Sequence, residues 1–270
     1  MWQQLPGTEG KIFMSRIQDA FREKAFIGFL TGGDPSIAKT KEFILEMVHG
    51  GADLVEIGVP FSDPIAEGPV IQEANIRALD AGTNTERLFE LVASVREETD
   101  VPLVFLTYLN PVFHYGYEAF FSRCKECGLD GIIIPDMPFE EKGEVVKIAA
   151  SHGVDVISLI APTSDNRIRM IAKEAMGFIY VVSSMGVTGV RSEIKTDLAG
   201  ILETIKGETE VPCAVGFGIN TPEQAKEIAG YADGVIVGSA IVKIIAQYGD
   251  AAGPYIYAYV KKMKDAVKGS

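Results

Sequence analysis

The feature that most constrains the fold is an alternation of short apolar strands with longer amphipathic segments, which occurs eight times along the chain. Runs rich in β-branched and aromatic residues, separated by stretches of helical periodicity, are typical of βα units and a parallel sheet. The connection after the second strand has room for two helices, one from Pro69 to just before Gly82 and one over 85–97. The predicted strands are 25–31, 54–58, 102–108, 131–135, 154–160, 178–183, 212–216 and 234–237.

Eight such units without a break in composition predict an α/β fold, a single (β/α)8 TIM barrel that spans residues 1–270 as one domain. With 47% hydrophobic residues, the chain can bury a core of that size. An open doubly wound sheet is the alternative, because periodicity does not reveal strand order. Additional helices are expected in the loops and at the N-terminus, where 10–24 carries a helical stripe of apolar residues: Ile12, Phe13, Ile17, Ala20 and Phe21.

Charge and composition exclude several classes of partner. The chain has 25 Lys and Arg against 37 Asp and Glu, a net charge of −12, whereas nucleic acid and anionic membranes select basic surfaces. No run reaches the ~18 apolar residues of a membrane span, and the N-terminus lacks the pattern of a signal peptide. Three cysteines form no disulfide framework, so we expect a cytoplasmic protein.

Three acidic residues lie in the second strand and in the loop after it, where they are candidates for proton transfer. Glu56 lies within the strand, on the face shared with Leu54 and Gly58; if that face points into the barrel, burial would raise its pKa and suit it to proton transfer. The alternative is a structural acid bonded to backbone or to a cation. Asp63 and Glu67 come next, in a loop that three prolines stiffen. They are candidates for the same chemistry, or else Asp63 closes an Asx turn and Glu67 begins a helix.

Glycine-rich segments end the last two strands. Gly218 follows the seventh strand, and Gly238 with Ser239 follows the eighth. Backbone N–H groups and a helix N-terminus at this place in a barrel are typical of a phosphate site, although tight turns without a ligand have the same pattern. After the sixth strand, the small and polar residues of 185–192 predict either a mobile lid or a plain surface loop. Tyr180 is interpreted as a core aromatic residue whose hydroxyl reaches the pocket.

Motifs for metals and nucleotides are missing from the sequence. Cys124 and Cys127 form a lone C-x-x-C pair without a second pair or a histidine at zinc spacing, so we interpret them as two reduced thiols on a helix. No P-loop, zincin, G-x-G-x-x-G or G-x-S-x-G pattern occurs. We therefore expect carboxylate and tyrosine chemistry, with no metal and no cofactor in this chain.

Five motifs in this order resemble one family over nearly the whole chain. They are FLTGGDP at 29–35, EIGVPFSDPIAEGP at 56–69, PDMP at 135–138, GVTG at 186–189 and GFGI at 216–219. The family is that of tryptophan synthase alpha subunits, which are indole-3-glycerol-phosphate lyases. The long motif at 56–69 is the most specific, and a different phosphate-binding barrel isomerase would not require it.

The resemblance implies a retro-aldol cleavage of indole-3-glycerol phosphate to indole and glyceraldehyde 3-phosphate, within L-tryptophan biosynthesis. Glu56 would protonate ring carbon C3 and take the hydroxyl proton, Glu67 would accept the indole N–H proton, and Tyr180 would be the active-site tyrosine. The family usually has Asp where this chain has Glu67. The extra methylene moves the carboxylate by about 1.5 Å, and a misplacement of roughly 1 Å can cost about 10²-fold in rate.

The resemblance also implies the binding residues. Gly189, Gly218, Gly238 and Ser239 would hold the substrate phosphate. Phe29 and Leu106 would line the indole pocket, while Asp63 and Thr188 would join two loops when the lid closes.

A partner follows from the same resemblance: a pyridoxal-phosphate-dependent beta subunit in an α₂β₂ heterotetramer, with 108–111 and 135–138 facing it. The cofactor would belong to that subunit alone. Two alternatives remain open, a stand-alone lyase that releases free indole and a non-catalytic regulatory subunit suggested by Glu67.

Overall fold

Eight parallel strands close into a barrel in which each strand pairs with its neighbour in the chain and the eighth pairs with the first. The computed structural model describes residues 15–183, 198–216 and 218–269. The predicted barrel is confirmed, and the open sheet is wrong because strands one and eight are hydrogen-bonded. The described strands are β1 (Ala25–Thr31), β2 (Leu54–Gly58), β3 (Leu103–Leu106), β4 (Gly131–Ile133), β5 (Asp155–Ile160), β6 (Ile179–Val182), β7 (Cys213–Gly216) and β8 (Gly234–Val237).

Helices surround the barrel, and local signals fix where they begin and end. Pro69 is the first residue of its helix, a position where a missing N–H costs nothing. The Asn84 side chain caps the next helix by accepting from Arg87 N at 3.0 Å. The described helices are α1 (Arg16–Asp19), α2 (Ile37–Gly50), α3 (Pro69–Asp80), α4 (Thr85–Arg96), α5 (Leu109–Tyr115), α6 (Tyr117–Cys127), α7 (Gly143–Ser151), α8 (Asp165–Lys173), α9 (Leu198–Lys206), α10 (Pro222–Ala229), α11 (Ser239–Tyr248) and α12 (Gly253–Lys268).

The two helices predicted after β2 are α3 and α4, and α5 is a further loop helix between β3 and α6. At the N-terminus the structure describes only α1 of the predicted helix, since residues 10–14 lie outside the described part. Ile17 of α1 is buried and packs in the cluster that fills the barrel. A β-carbon at Gly131, where β4 begins, would lie 3.0 Å from Ile17 Cδ1, so α1 closes the N-terminal end of the barrel.

The core has two layers, separated by the strands. Side chains alternate along each strand, so one set fills the barrel and the other packs against the helices. On β5, for example, Ile157 belongs to the inner cluster and Val156 to the outer one. The inner position of Leu54 confirms which face of β2 points inward, and Glu56 shares that face.

Three aspartates tie neighbouring strands together at the N-terminal end of the barrel. Each directly precedes one strand, and its carboxylate accepts the backbone N–H at the start of the strand before it. The sequence alone does not reveal this acceptor role, because it depends on the pairing of strands. The bonds run from Phe26 N to Asp53 at 2.7 Å, from Leu103 N to Asp130 at 2.9 Å and from Cys213 N to Asp233 at 2.9 Å.

The cysteines are free, buried thiols, with Cys124 and Cys127 on α6 and Cys213 on β7. Among the described helices, none is long and apolar enough to cross a membrane.

Candidate active site

A cavity of about 890 Å³ opens at the C-terminal end of the barrel, where the strands end and the βα loops begin. This is the end at which barrel enzymes place their chemistry. The sequence had picked out eleven site residues, and the structure brings eight of them together in the cavity wall: Phe29, Glu56, Glu67, Leu106, Tyr180, Gly218, Gly238 and Ser239.

Glu56 is a buried acid with an unpartnered oxygen. It lies in the middle of β2, beside Phe29 of β1 and Val104 of β3, with 1% of its surface exposed. Its Oε1 has no hydrogen-bond partner among the described residues, which disfavours the reading of a structural acid bonded to backbone or to a cation. Burial raises the pKa of Glu56 from 4.5 to about 8. The group is therefore mostly protonated at neutral pH yet able to lose its proton.

Tyr180 is the neighbour of Glu56 across the barrel. It lies on β6 and packs in the inner cluster, as predicted for a core aromatic residue at the pocket. Burial raises the pKa of its phenol well above the ordinary value, and the charge of Glu56 raises it further. A β-carbon at Gly216 would overlap the Tyr180 hydroxyl. The glycine at the end of β7 therefore makes the room that the ring occupies.

Glu67 has a different environment, although it is also buried. It lies in the loop between β2 and α3, and its Oε2 accepts from Asn75 Nδ2 at 2.7 Å. The Tyr108 hydroxyl also bonds to its carboxylate. Burial raises the pKa of Glu67, while the bonds from Asn75 and Tyr108 oppose that rise. The cavity thus holds two carboxyl groups in different environments: Glu56 has an oxygen without a partner, whereas Glu67 has two hydrogen-bond donors. Such a contrast suits one group to act as a proton donor and the other as a proton acceptor.

Tyr108 is the residue that sequence reasoning missed. The sequence assigned it only to a partner-facing segment, yet its side chain is buried and lines the cavity. Its place directly after β3 was the available signal, since catalytic groups in barrels come from strand ends. Asn75 gave no such signal, because it lies inside α3.

The glycines at the ends of β7 and β8 form one side of the cavity. Gly238 caps α11, a helix of ten residues, and Ser239 is its first residue. Gly218 has a φ of +82°, a backbone conformation that favours glycine. The first N–H groups of a helix have no partner within it, and the helix dipole favours an anion at that end. This side of the cavity suits a phosphate held by neutral donors.

Phe29 and Leu106 belong to one small apolar cluster with Ile71 of α3. The Phe29 ring is packed between two glycines. A β-carbon at Gly58 would lie 2.8 Å from Phe29 Cζ, and one at Gly238 would lie 3.1 Å from Cδ1. The apolar wall therefore has a fixed aromatic face, which suits a flat ring such as indole.

Three predicted residues are not among the described residues of the wall. Asp63 is exposed and accepts a hydrogen bond from Ser62 Oγ. Thr188 and Gly189 lie in 184–197, outside the described residues, as does the 185–192 loop. Their roles stay predictions. Among the described residues, no group of three His, Cys, Asp or Glu side chains could hold a metal ion.

A closed (β/α)8 barrel with two acids in contrasting environments, an aromatic wall and a helix N-terminus in one cavity defines a barrel enzyme built for proton transfer. The family model of the tryptophan synthase alpha chain matches residues 16–268. The alpha chain of Lacticaseibacillus casei is 50% identical over 257 residues, which cover 95% of this chain and 97% of the relative. This chain belongs to the tryptophan synthase alpha chain family.

Solved structures agree with that assignment. The crystal structure of the alpha chain from Legionella pneumophila subsp. pneumophila has a TM-score of 0.85 at 34% identity, and the match covers 95% of this chain and 98% of that one. A chain of the tryptophan synthase α₂β₂ complex from Pyrococcus furiosus has a TM-score of 0.83 at 35% identity, over 89% and 98% of the two chains.

Proposed function

We propose that this chain is the alpha subunit of a tryptophan synthase and cleaves indole-3-glycerol phosphate to indole and glyceraldehyde 3-phosphate. The observation that carries the proposal is Glu56, a buried acid whose Oε1 has no partner, inside the cavity at the C-terminal end of the barrel. A group with a pKa of about 8 is present in both protonation states near neutral pH, which suits a residue that must give one proton and take another.

The site then accounts for each proton. With the indole ring against Phe29 and Leu106, Glu56 gives its proton to ring carbon C3 while Glu67 takes the proton of the indole nitrogen. The Glu56 carboxylate next takes the proton of the glycerol hydroxyl. The bond between C3 and the side chain breaks, its electrons restore the indole ring, and the nitrogen regains its proton from Glu67. Both acids end in their starting states.

The other binding roles complete the proposal. Gly218, Gly238 and Ser239 hold the substrate phosphate at the N-terminus of α11, with Gly189 as a fourth member. Tyr180 packs beside the reacting carbon and stays neutral. Asp63 and Thr188 join their loops over the bound substrate. The chain itself uses no cofactor.

The partner is a pyridoxal-phosphate-dependent beta subunit in a heterotetramer. The relative from Pyrococcus furiosus is part of an α₂β₂ complex. Two apolar side chains that follow strands, Ile65 in the cavity wall and Phe113 on α5, are 74% and 68% exposed. Exposed apolar residues of this size are what a partner surface covers. We further propose that residues 1–270 act as one domain and that the enzyme works in the cytoplasm.

The test is release of indole from indole-3-glycerol phosphate by the purified chain. Glu56→Gln keeps the shape of the side chain and removes its titration, so we expect kcat to fall by about 10²- to 10⁴-fold. Glu73→Gln, which removes an exposed acid of α3, is the matched control and should keep wild-type activity. A Glu56→Gln enzyme with normal turnover would refute the proposal.

Addition of a beta subunit distinguishes three possible functions: a lyase subunit, a stand-alone lyase and a regulatory subunit. The proposal expects the lyase rate to rise when the partner binds. Full activity without any partner would instead indicate a stand-alone lyase, and no indole release with or without a partner would indicate a regulatory subunit.

A further inference from the structure

The Glu67 carboxylate is held from two different barrel units. Asn75 approaches from the second turn of α3, with its Nδ2 2.7 Å from Glu67 Oε2, and it is itself buried, with 3% of its surface exposed. Tyr108 approaches from the end of β3 and is 2% exposed. Side chains this well buried lose little further freedom when they bind a carboxylate, so they are pre-organised donors.

The hydrogen bonds of the Tyr108 hydroxyl fix which way its proton points. The hydroxyl oxygen accepts from Ala66 N at 3.2 Å. Toward an ionised Glu67, which has no proton to give, the phenol can only donate its own proton. Both neighbours of the Glu67 carboxylate are therefore donors. A carboxylate has about four acceptor positions, so two donors leave acceptor positions for a substrate N–H.

We propose that Asn75 and Tyr108 are positioning residues that hold Glu67 as a carboxylate and orient it toward the indole N–H, and that they are matched to the length of glutamate. The inference rests on the proposed lyase function and adds two residues to it. The family resemblance alone implies that glutamate at position 67 misplaces the carboxylate and slows the reaction. The inference reverses that expectation, because the extra methylene is what brings Oε2 to Asn75.

The matching of lengths can be put as a distance. Glu67→Asp withdraws the carboxylate by about 1.5 Å, one carbon–carbon bond. A contact of 2.7 Å would then become one of roughly 4 Å, beyond a hydrogen bond. The shorter acid should therefore be the slower one in this chain.

Few charges surround the carboxylate in the described part of the chain. Tyr108 lies beside it, and Glu56 lines the same cavity. Asp136, Lys142 and Arg167 also line that cavity, but none of them is among the groups that shift the pKa of Glu67. Arg77, on the same helix as Asn75, is directed away to Asp34, with contacts of 2.8 and 2.7 Å. The neutral donors Asn75 and Tyr108 are thus the groups that favour the ionised form of Glu67.

The experiment measures the pH dependence of kcat/KM for indole release by the full chain and by Asn75→Leu. Loss of a hydrogen bond to a charged group should lower kcat on the order of 10-fold, with KM changed less than about twofold because the bond is not made to the substrate. Loss of the donor raises the pKa of Glu67, so the acid limb should move up by about one pH unit. The alkaline limb, which reports Glu56, should stay in place.

Gln72→Leu is the matched control, since Gln72 Nε2 donates to the backbone oxygen of Glu67 at 2.9 Å and not to its carboxylate. It should leave the acid limb unmoved. Asn75→Ser, which is small, polar and too short to reach Glu67, serves if Asn75→Leu does not fold, and Tyr108→Phe should move the acid limb in the same direction.

Rescue gives the sharpest test. Glu67→Asp should lose activity, and Glu67→Asp combined with Asn75→Gln, which shortens one side chain and lengthens the other by one methylene, should recover part of it. An acid limb that stays in place in both Asn75 variants, or a Glu67→Asp enzyme as fast as wild type, overturns the inference. In either case the effect of Glu56→Gln would still support the lyase function, so the two failures are distinguishable.

Discussion

The stability of the Glu56→Gln variant relative to wild type should increase as the pH rises. Burial raises the pKa of Glu56 from 4.5 to about 8, and one pKa unit corresponds to about 1.4 kcal/mol, so the ionised carboxylate costs the folded state about 5 kcal/mol. Below pH 4.5 the group is protonated in both the folded and unfolded states, and it has no effect on the pH dependence of stability.

The sign follows from counting protons. Between about pH 4.5 and 8 the folded protein keeps a proton that the unfolded chain has released. Stability therefore falls with rising pH in this window, by up to about 1.4 kcal/mol per pH unit, and levels off above it. The amide of the Glu56→Gln variant has no such proton. Any cost of burying that amide is the same at every pH, so only the change with pH reports the carboxylate.

The assay is urea unfolding of both proteins, followed by circular dichroism at several pH values. Between about pH 5.5 and 7.5 the free energy of unfolding of Glu56→Gln relative to wild type should rise by roughly 3 kcal/mol. Glu73→Gln, which removes an exposed acid, should show almost no change. A constant difference between Glu56→Gln and wild type over this range would refute the reasoning, because it would mean that Glu56 ionises as readily in the fold as in the unfolded chain.

Two further predictions concern Gly216 and Asp155. Gly216→Ala should lower kcat and cost about 1–3 kcal/mol of stability, because its β-carbon overlaps the Tyr180 hydroxyl. Gly143→Ala, whose β-carbon meets open space, is the control. Equal effects of the two variants in enzyme assays and in urea unfolding would contradict this reasoning. Burial, with a smaller contribution from Asp130, raises the pKa of Asp155 from 3.8 to about 6, so the folded state holds a proton that the unfolded chain loses above pH 3.8. Asp155→Asn should then stabilise the protein at about pH 8 by about 1–2 kcal/mol, allowing for the partial exposure of the side chain, and this gain should appear as a higher melting temperature. At about pH 4 the substitution should have no such effect. A gain of equal size at both pH values would point to another cause.

The sequence predicted the parts of the site that depend on local pattern. Alternation along β2 placed Glu56 on the inward face, and the structure confirms it. The predicted bounds of the two helices after β2 agree with α3 and α4 within one or two residues. Closure of the barrel was an inference from the number of units, since the pairing of β1 with β8 joins segments about 200 residues apart.

The environment of the second acid could not be predicted, because it depends on contacts between units. Glu67 and Asn75 are eight positions apart, a spacing with no meaning until the loop and α3 have folded together. Tyr108 comes from the next strand along the chain. The predicted third strand, 102–108, also ran two residues too far, because Tyr108 leaves the strand to precede α5. The same departure turns its hydroxyl toward Glu67.

The three aspartates at the N-terminal end of the barrel connect strands in a regular order, which has a consequence for how the molecule opens. Asp53 joins β1 to β2, Asp130 joins β3 to β4 and Asp233 joins β7 to β8. Each is an odd–even pair of neighbouring strands, with β5–β6 the pair that lacks such a bond among the described residues. Each aspartate therefore strengthens one quarter of the barrel and none connects two quarters. Amide hydrogens of both strands in such a pair should exchange with solvent together, and the seams between quarters, β2 to β3 among them, should open first.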